Sequence, residues 1–457
     1  MSLRLAPFAL ALFAWAPLIA HAQPTQEALS AKAQAPEPSP RVLTLAEAIR
    51  TARAHQPQLV QAHAGTMAAL ARADESRAAY LPQLTGTAIY ERETTNFVPH
   101  PGFTTSNLVK PPPGNFSTVN LYQFQAVLSQ LIYDFGYTWN QWRAAQATAR
   151  SQDETEKYTR VQITLGAQTA FFGARAARDL VGVARDTLEN QNAHLRQTQG
   201  FVRAGTHPEI DLAQQKTNVA NAEVQLINAT NTYETTKAQL NQAMGVEGPT
   251  DYDVSSDTLP PVEGEAQTLD PLLSEALKRR PDFASLAEQA RSKELTIRAT
   301  RGTYLPSLGF STGFADQGLQ LDDTGWNWNA QVTLTWNMFQ GGLTHAQVQE
   351  ARANLDAARA QMSQLQQQIR VDVIQAQLAV RANKEALLAA AQALVNAKEQ
   401  LRLAEGRYRT GVGNSVELSD AQVAVTNAAA QRVQAEYNLA TSRAQLIRAL
   451  GREIPDV

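Results

Sequence analysis

The sequence predicts a mainly α-helical chain, organised as a tandem repeat, with a membrane β-barrel part to which each copy contributes a hairpin. Three observations support this fold class. Two long stretches match each other at a fixed offset, and each contains a pair of strand-like segments. Each then continues into a helical pattern far longer than the helices of compact domains.

The internal repeat is visible in short matching motifs. At an offset of 206 residues, Arg-Ala-Gly at 203–205 matches Arg-Thr-Gly at 409–411. Upstream, Tyr-Leu-Pro at 80–82 matches the same tripeptide at 304–306, at an offset of 224 residues. The first copy therefore holds 18 extra residues. They fit the Pro/Gly/Asn-rich stretch at 96–115, which predicts a long exposed loop.

These matches divide the chain into segments. The first repeat is predicted at 43–245, the second at 271–452, and a short C-terminal tail at 453–457. Between the repeats, residues 246–270 hold seven Asp or Glu and no Lys or Arg, which predicts an acidic linker on the surface. Each repeat is predicted to run in the order helix, β-hairpin, long helix, helix.

The N-terminal segment has the pattern of a secretory signal peptide. Arg4 precedes an apolar run at 6–20, and Ala-His-Ala at 20–22 forms a cleavage site of the A-x-A type. We expect a signal peptide at 1–22 and an extended tether at 23–42, so that the mature chain works outside the cytoplasm.

Composition argues against several other classes of protein. The absence of cysteine excludes disulfides, thiolate metal sites and an N-terminal lipid anchor. The seven histidines form no i, i+4 pair, so we expect neither a metal site nor a cofactor. With a formal net charge of −3 and no basic tract, nucleic acid is not an expected partner. No G-x-S-x-G, H-E-x-x-H or P-loop motif occurs, so an enzyme is not expected either.

The segment GWNWNAQVTLTWN at 325–337 alternates apolar and uncharged polar residues, so a strand here has one apolar face and one polar face. Trp326, Trp328 and Trp336 lie near its ends, where the aromatic girdles of membrane strands form. A strand of a soluble sheet with one face on a core is the alternative. The alternation recurs in the first copy, and the strands are predicted at about 83–92, 119–131, 307–315 and 326–337.

Each hairpin is followed by a very long helical pattern. In the second copy, apolar residues recur every seven positions, with mostly alanine three positions after each, which is a coiled-coil seam. About 63 residues at 1.5 Å each give a helix roughly 95 Å long. The long helices are predicted at about 138–199 and 343–405, the returning helices at 209–244 and 415–450, and the leading helices at 46–79 and 272–302.

Four strands cannot form a membrane sheet by themselves. The edge N–H and C=O groups of an open sheet would stay unpaired in lipid. Closure therefore requires several copies of the chain, and three copies give twelve strands, enough to close around a wet lumen. The polar strand faces would then line water and the tryptophans would mark the edges of the bilayer.

With these motifs in order, the sequence resembles the TolC family of outer-membrane efflux ducts. The resemblance covers 40–452 and includes QLIYDFG and NMFQGG before the long helices, and EGRYRTGVGNSVELSDAQ after the second one. It implies a homotrimer in outer-membrane lipid, with a twelve-stranded barrel continued by a twelve-helix coiled-coil α-barrel in the periplasm. It also implies docking to an inner-membrane pump through a periplasmic adaptor protein, for drug efflux or type I secretion.

The turn before the last helix carries the most site-like chemistry. Glu417 and Asp420 are three residues apart and share one helix face. Helix capping is the alternative role, because Asn414 or Ser415 is suited to an N-cap and carboxylates in a first turn complement the helix dipole. In a trimer the pair becomes a ring of six carboxylates that favours cations.

The resemblance implies roles for further residues at the tips, by which we mean the turns that follow the two long helices. Glu417 and Asp420 match the acidic residues of the periplasmic constriction in relatives, and Tyr408 matches a tyrosine that helps to hold it shut. Asp211 matches an acidic residue that, in some relatives, pairs with an arginine and so forms a latch. Glu417 replaces an aspartate, and Gly413 stands where some relatives have the arginine of the latch.

The outermost tip residues are candidates for adaptor docking. Arg203 and Gly205 in the first copy, with Arg409 and Gly411 in the second, surround turns that adaptor hairpins would meet tip to tip. The two arginines are also candidates to replace the missing latch arginine, with a solvated tip charge as the alternative. A periplasmic coiled-coil adaptor is the alternative function, although it would not need two membrane-type hairpins.

Overall fold

The computed structural model describes residues 41–94, 116 and 118–452. The expected signal peptide, the tether up to residue 40, the loop at 96–115 and the tail at 453–457 lie outside the described residues. The last two residues of the expected tether belong to a short strand, β1.

Both repeats follow the predicted order of leading helices, hairpin, long helix and returning helix. The first contains β1 (Arg41–Leu43), α1 (Leu45–His55), α2 (Pro57–Ala78), β2 (Gln83–Thr94), β3 (Thr118–Tyr133), α3 (Tyr137–Arg203) and α4 (Glu209–Met244). The second contains β4 (Tyr252–Val254), α5 (Leu269–Arg279), α6 (Pro281–Gly302), β5 (Ser307–Gln320), β6 (Asp323–Thr335), α7 (Leu343–Arg409) and α8 (Ser415–Ala449).

The leading helix of each repeat is broken in two, and the prediction of one continuous helix was wrong. The break falls at Gln56 and again at Arg280, both with extended backbone and both directly before a proline. Proline disfavours helical geometry in the residue before it, so the helix stops there and a new one begins at the proline. Buried Arg280 then bridges Asp282 and Asp372 at 2.6 and 3.0 Å.

The long helices α3 and α7 each have 67 residues, which corresponds to a length of about 100 Å. The C-terminal half of α3 packs against α4, and the C-terminal half of α7 packs against α8. The N-terminal half of α3 is covered by α2 and α6, and α6 also contacts the N-terminal half of α7. The heptad prediction is confirmed in α7, where Val373, Val380 and Leu394 are buried together with alanines such as Ala397.

The hairpins form one four-stranded antiparallel sheet in the order β2-β3-β5-β6. β5 and β6 are longer at their shared turn than predicted, since Gln320 pairs with Asp323 and only two residues connect the strands. The residues between the two predicted strands, 316–325, extend the ladder to this turn. β6 ends at Thr335, so Trp336 lies just beyond it.

The sequence predicted that the acidic linker at 246–270 lies on the surface, but part of it is buried. Val254 and Leu259 are buried against Phe171 and Phe172 of α3, in a core cluster shared with α8. Asp257 accepts a hydrogen bond from the backbone N–H of Leu45 at 2.8 Å. Apolar residues between the acidic ones therefore attach the linker to the helices.

In the part of the chain that the structure describes, no helix is both long enough and apolar enough to cross a bilayer.

Candidate functional site

The turns that follow the two long helices have the same backbone geometry. Gly205 and Gly411 have φ angles of +72° and +75°, a left-handed conformation that glycine adopts without strain. Their N–H groups donate to carbonyls of the last helical turn at 3.0 and 3.2 Å. Arg203 and Arg409 are the last residues of α3 and α7, and both are exposed. The four docking candidates therefore lie at the tips.

Tyr408 joins the two tips of one chain. Its side chain is only 1% exposed, and its hydroxyl lies 3.3 Å from the Thr198 hydroxyl on α3. The rings of Phe201 and His207 contact it edge-on, at centroid distances of 5.8 and 5.3 Å. His207 also stacks on Phe201 at 4.8 Å. Tyr408 is thus a buried contact between the end of α7 and the tip of the α3–α4 pair.

The two candidate gate carboxylates lie on the exposed side of the first turns of α8. Glu417 forms an ion pair with Arg407 at 3.1 Å, and Asp420 is exposed one turn further along. The capping prediction is confirmed for Asn414, whose side-chain oxygen accepts from the Glu417 N–H at 2.8 Å. Leu418, between the two carboxylates, points into the core with Tyr408.

Asp211 forms a second link between the repeats. The Ser415 hydroxyl donates to its carboxylate at 2.9 Å, which ties the first turn of α4 to the first residue of α8. The structure therefore joins Asp211 to Ser415 and Tyr408 to Thr198, and it places Arg407 rather than Arg203 or Arg409 beside a gate carboxylate.

His194 is a buried titratable residue one helical turn before Thr198 on α3. Its side chain is 9% exposed, and its Nε2 lies 3.6 Å from a Glu405 carboxylate oxygen on α7. Its buried Nδ1 has no hydrogen-bond partner among the described residues. Burial lowers the pKa of His194, although Glu405 acts in the opposite direction.

Sequence reasoning missed Arg407, Thr198, Phe201 and His207 at this site. Arg407 lies between Gly406 and Tyr408, close to the turn, so its position is visible in the sequence but the direction of its side chain around the helix is not. The heptad seam loses its regularity near the turn, so it does not indicate which side chains are buried there. The contact between Thr198 of α3 and Tyr408 of α7 joins residues 210 positions apart, which no local pattern reveals. In the described residues, no group of three or more His, Asp or Glu side chains is placed to hold a metal ion.

The three candidate girdle residues lie on or beside the edge strand β6, in a different part of the chain. Trp326 and Trp328 are 72% and 62% exposed, and the indole of Trp326 stacks on Phe314 at 6.0 Å. At the other end, the Trp336 indole N–H donates to the carbonyl of Tyr304 at 3.1 Å. Large exposed indoles on an edge strand are unusual in a soluble sheet.

The sequence pattern of the family described as "Outer membrane efflux protein" matches residues 48–246 and 272–452, one match for each repeat. The chain belongs to the outer membrane efflux protein family. This outer membrane efflux protein is 27% identical over 432 residues to the outer membrane protein TolC of Escherichia coli, covering 89% of this chain and 82% of TolC. It is 24% identical over 341 residues to the probable efflux pump outer membrane protein TtgC of Pseudomonas putida, covering 72% and 69%.

Solved structures support the fold. The outer membrane protein VceC of Vibrio cholerae superposes with a TM-score of 0.76 at 18% identity, covering 89% of this efflux protein and 96% of VceC. The resemblance to the TolC family is therefore confirmed. The protein is an outer-membrane channel for efflux, and the relatives support this role rather than that of an adaptor.

Proposed function

We propose that this efflux protein is the passive exit duct of a tripartite system and works as a homotrimer. Three chains close a twelve-stranded barrel in the outer membrane, and their helices form a tunnel through the periplasm. The tunnel ends at the tips, where a gate controls passage and an adaptor docks. One observation carries this proposal: the four-stranded sheet has two open edges.

The open edges belong to β2 and β6, which have no further neighbour among the described strands. In hydrocarbon every unpaired N–H and C=O group costs several kcal/mol. Pairing β6 of one chain with β2 of the next satisfies both edges, and a ring of three chains does so without leaving an end.

The faces of β6 support the same arrangement. Val332 and Leu334 are 65% and 63% exposed, on the face that also carries Trp326 and Trp328. Thr333 and the other odd-numbered residues project to the opposite, polar face. An apolar outer face with indoles near its ends fits a bilayer, and the polar face fits a wet lumen.

The helix α7 has an apolar stripe that its own chain leaves uncovered. These residues lie outside the buried heptad seam and recur at intervals of seven to ten positions: Val371, Leu378, Leu388, Val395 and Leu403, each at least 43% exposed. Exposed apolar side chains that recur along a helix form a candidate interface in a soluble region. We assign it to contacts between neighbouring chains.

The gate is assigned to Glu417 and Asp420. Three copies would place six carboxylates around one axis, three of them paired with Arg407, and the remaining net negative charge would attract cations and repel anions. Tyr408 and Asp211 hold the two tips of each chain together through Thr198 and Ser415, and so maintain the closed position.

The docking surface is assigned to the exposed turns. Arg203, Gly205, Arg409 and Gly411 surround these turns, and Val412 is 73% exposed beside them. Small residues let a helical hairpin approach the backbone, and the arginines provide charge for recognition. The relative TtgC bears the name of an efflux pump outer membrane protein, which supports an inner-membrane pump as the further partner.

Conductance of the purified protein in a planar bilayer tests this function. The parent channel is expected to select cations and to be blocked by divalent cations added on the tip side. Glu417→Gln combined with Asp420→Asn keeps side-chain size and removes up to six charges per trimer, so we expect both the selectivity and the block to fall.

A matched variant separates the gate from other surface charge. Glu350→Gln combined with Glu385→Gln removes two exposed carboxylates of α7 away from the turn, and it is expected to keep the tip-side block. If the Glu417/Asp420 variant conducts, selects and is blocked like the parent, these carboxylates serve only as helix-terminal charges and the gate lies elsewhere.

A further inference from the structure

An aromatic cluster lies where the sheet meets the helices of the first repeat. The Tyr80 ring contacts the Trp139 ring edge-on at a centroid distance of 6.2 Å, and Trp139 contacts Trp142 at 5.0 Å. The guanidinium carbon of Arg77 lies 5.9 Å from the centroid of the Trp142 ring, a distance typical of a cation–π contact. We call these four residues the junction cluster.

The local sequence explains why these four side chains meet. The Tyr80 N–H donates to the Arg77 carbonyl at 2.9 Å, in a turn that continues the end of α2. Trp139 and Trp142 lie three residues apart in the first turns of α3, so they share one face of that helix. Since α2 packs along α3, its last residues lie beside these two indoles.

The cluster lies directly beyond the strands. β2 begins three residues after Tyr80, and β3 ends six residues before Trp139. Trp139 is 46% exposed, and Trp142 is half-buried. Exposed indoles just beyond the strands of a membrane sheet lie at the level of the lipid headgroups, where one end of the ring meets hydrocarbon and the other meets water.

The second repeat keeps the arginine and the tyrosine of the cluster but neither tryptophan. At the two offsets of the repeat, the matching residues are Arg301, Tyr304, His345 and Val348. Arg301 is exposed, Val348 is buried, and no aromatic ring of the described residues stacks on this arginine. The junction cluster is therefore specific to the first repeat, and Arg301 provides a comparison within the same chain.

Backbone strain at the same junction is a second sign of an external partner. Phe135 has a φ angle of +52°, in the left-handed region that residues other than glycine rarely adopt, and the matching residue of the second repeat is Gly341 at +60°. Phe135 is 43% exposed, and its ring contacts that of Tyr133 at 4.8 Å. A strained aromatic residue that is not buried in its own chain is expected where it meets a partner outside the chain.

The positive charge of Arg77 is not neutralised by this chain. Its side chain is exposed, and in the part of the chain that the structure describes the Trp142 ring is the one partner of its guanidinium group. Asp134 is buried, and its oxygens accept from the backbone N–H groups of Gly136 and Thr138 at 3.2 and 2.7 Å. A guanidinium group stacked on an indole is held in place while its N–H groups stay available to an anion.

We propose that the junction cluster binds the headgroup of an anionic phospholipid in the periplasmic leaflet of the outer membrane. This inference rests on the proposed barrel, which brings this end of the sheet to the bilayer surface. The three rings lie among the headgroups, and Arg77 donates to phosphate oxygens. The positive charge selects lipids with a net negative charge over zwitterionic lipids.

Quenching of tryptophan fluorescence by brominated phospholipids tests the proposal. A reporter variant carries Trp326→Phe, Trp328→Phe and Trp336→Phe, and Trp15 lies in the expected signal peptide, so the two indoles of the cluster provide the signal. Its vesicles contain equal parts of phosphatidylglycerol and phosphatidylcholine, with bromine on one lipid or on the other. We expect phosphatidylglycerol to be enriched about fivefold at these indoles, the preference that one arginine at a membrane surface provides.

Two arginine variants in this background separate the cluster from general surface charge. Arg77→Met should remove the preference, so that both brominated lipids quench equally, because the indoles stay in the bilayer without their cation. Arg301→Met changes the matching arginine of the second repeat and should keep the preference. The ratio of the two quenching values is compared within each variant, so a change in the brightness of Trp142 does not affect the result.

Three results would overturn the proposal. Equal quenching in the reporter variant means an aromatic belt without a headgroup site, and a preference lowered as much by Arg301→Met as by Arg77→Met means general surface charge. Absence of quenching by both lipids means that a neighbouring chain covers the cluster. Trp139→Phe combined with Trp142→Phe tests the barrel separately, since the indoles of 326–336 then report, and if no brominated lipid quenches them the proposed function itself fails.

Discussion

Tyr408 and His194 show how single side chains connect the two helical hairpins at the tips. A buried tyrosine hydroxyl needs a hydrogen-bond partner, and Thr198 provides it across the boundary between α3 and α7. His194 lies one turn before Thr198 on the same helix face, against Glu405 of α7. We therefore expect protonation of this buried ring to disturb the packing that holds Tyr408.

Stability below neutral pH is expected to depend on His194. Burial lowers its pKa below the ordinary value of 6.5, so the folded chain binds this proton less readily than the unfolded chain does. The contribution of the His194 ring to the free energy of unfolding is therefore fully present above about pH 6.5. It is lost as the pH falls toward the folded pKa, because protonation then favours the unfolded chain. Urea unfolding at pH 7.5 and pH 5 should show less acid destabilisation in His194→Gln than in the parent.

Exposed His345, at the start of α7, provides the control. His345→Gln should keep the acid sensitivity of the parent. If His194→Gln and the parent lose the same stability between the two pH values, the histidine does not report on tip packing.

At the scale of elements, the two faces of β6 are proposed to meet different environments, lipid on the apolar face and water on the polar face. Val332→Arg places a charge on the proposed lipid face and should cost roughly 2–4 kcal/mol near the bilayer midplane. Thr333→Arg, one residue along, faces the proposed lumen and should cost much less. Urea unfolding of the protein in lipid vesicles measures both, and equal damage at the two positions would rule out the barrel assignment.

The tip turns provide a second prediction at this scale. A Cβ atom added at Gly205 or Gly411 meets nothing within 4 Å, so the penalty is backbone strain alone. Valine in this left-handed conformation costs about 1–2 kcal/mol per position, which should reshape the turns. The double valine variant is expected to lose efflux while trimers still reach the outer membrane.

Gly200 and Gly406 are matched controls for this change. Both are helical, occupy equivalent places in the two repeats and have open space around the Cβ position. Alanine at both should retain efflux. Full efflux from the Gly205/Gly411 variant would contradict docking through the turns.

The elements were more predictable from sequence than the site. Heptad spacing and the glycine turns identify α7 and its buried Val373 and Val380, because seam residues follow a regular period. The break at Gln56 was missed although Pro57 marks it, since the helical period continues through it. The partners of Tyr408 were not predictable, because they depend on the angle at which two separate hairpins meet.

At the scale of the whole molecule, the account depends on assembly. One chain supplies a sheet with two open edges and long helices with an exposed apolar stripe, and neither feature is satisfied alone. The proposed closed ring would satisfy both at once and would create a lumen with the carboxylates of Glu417 and Asp420 at its far end. Transport is then a property of the ring rather than of any binding pocket in the chain.

The most direct test is the mass of the purified protein, released intact from detergent in a mass spectrometer. We predict a complex of three chains that retains this mass across dilution, because every strand edge is paired within the ring. A species with the mass of a single chain, or a pair, inserted in the outer membrane would contradict the account.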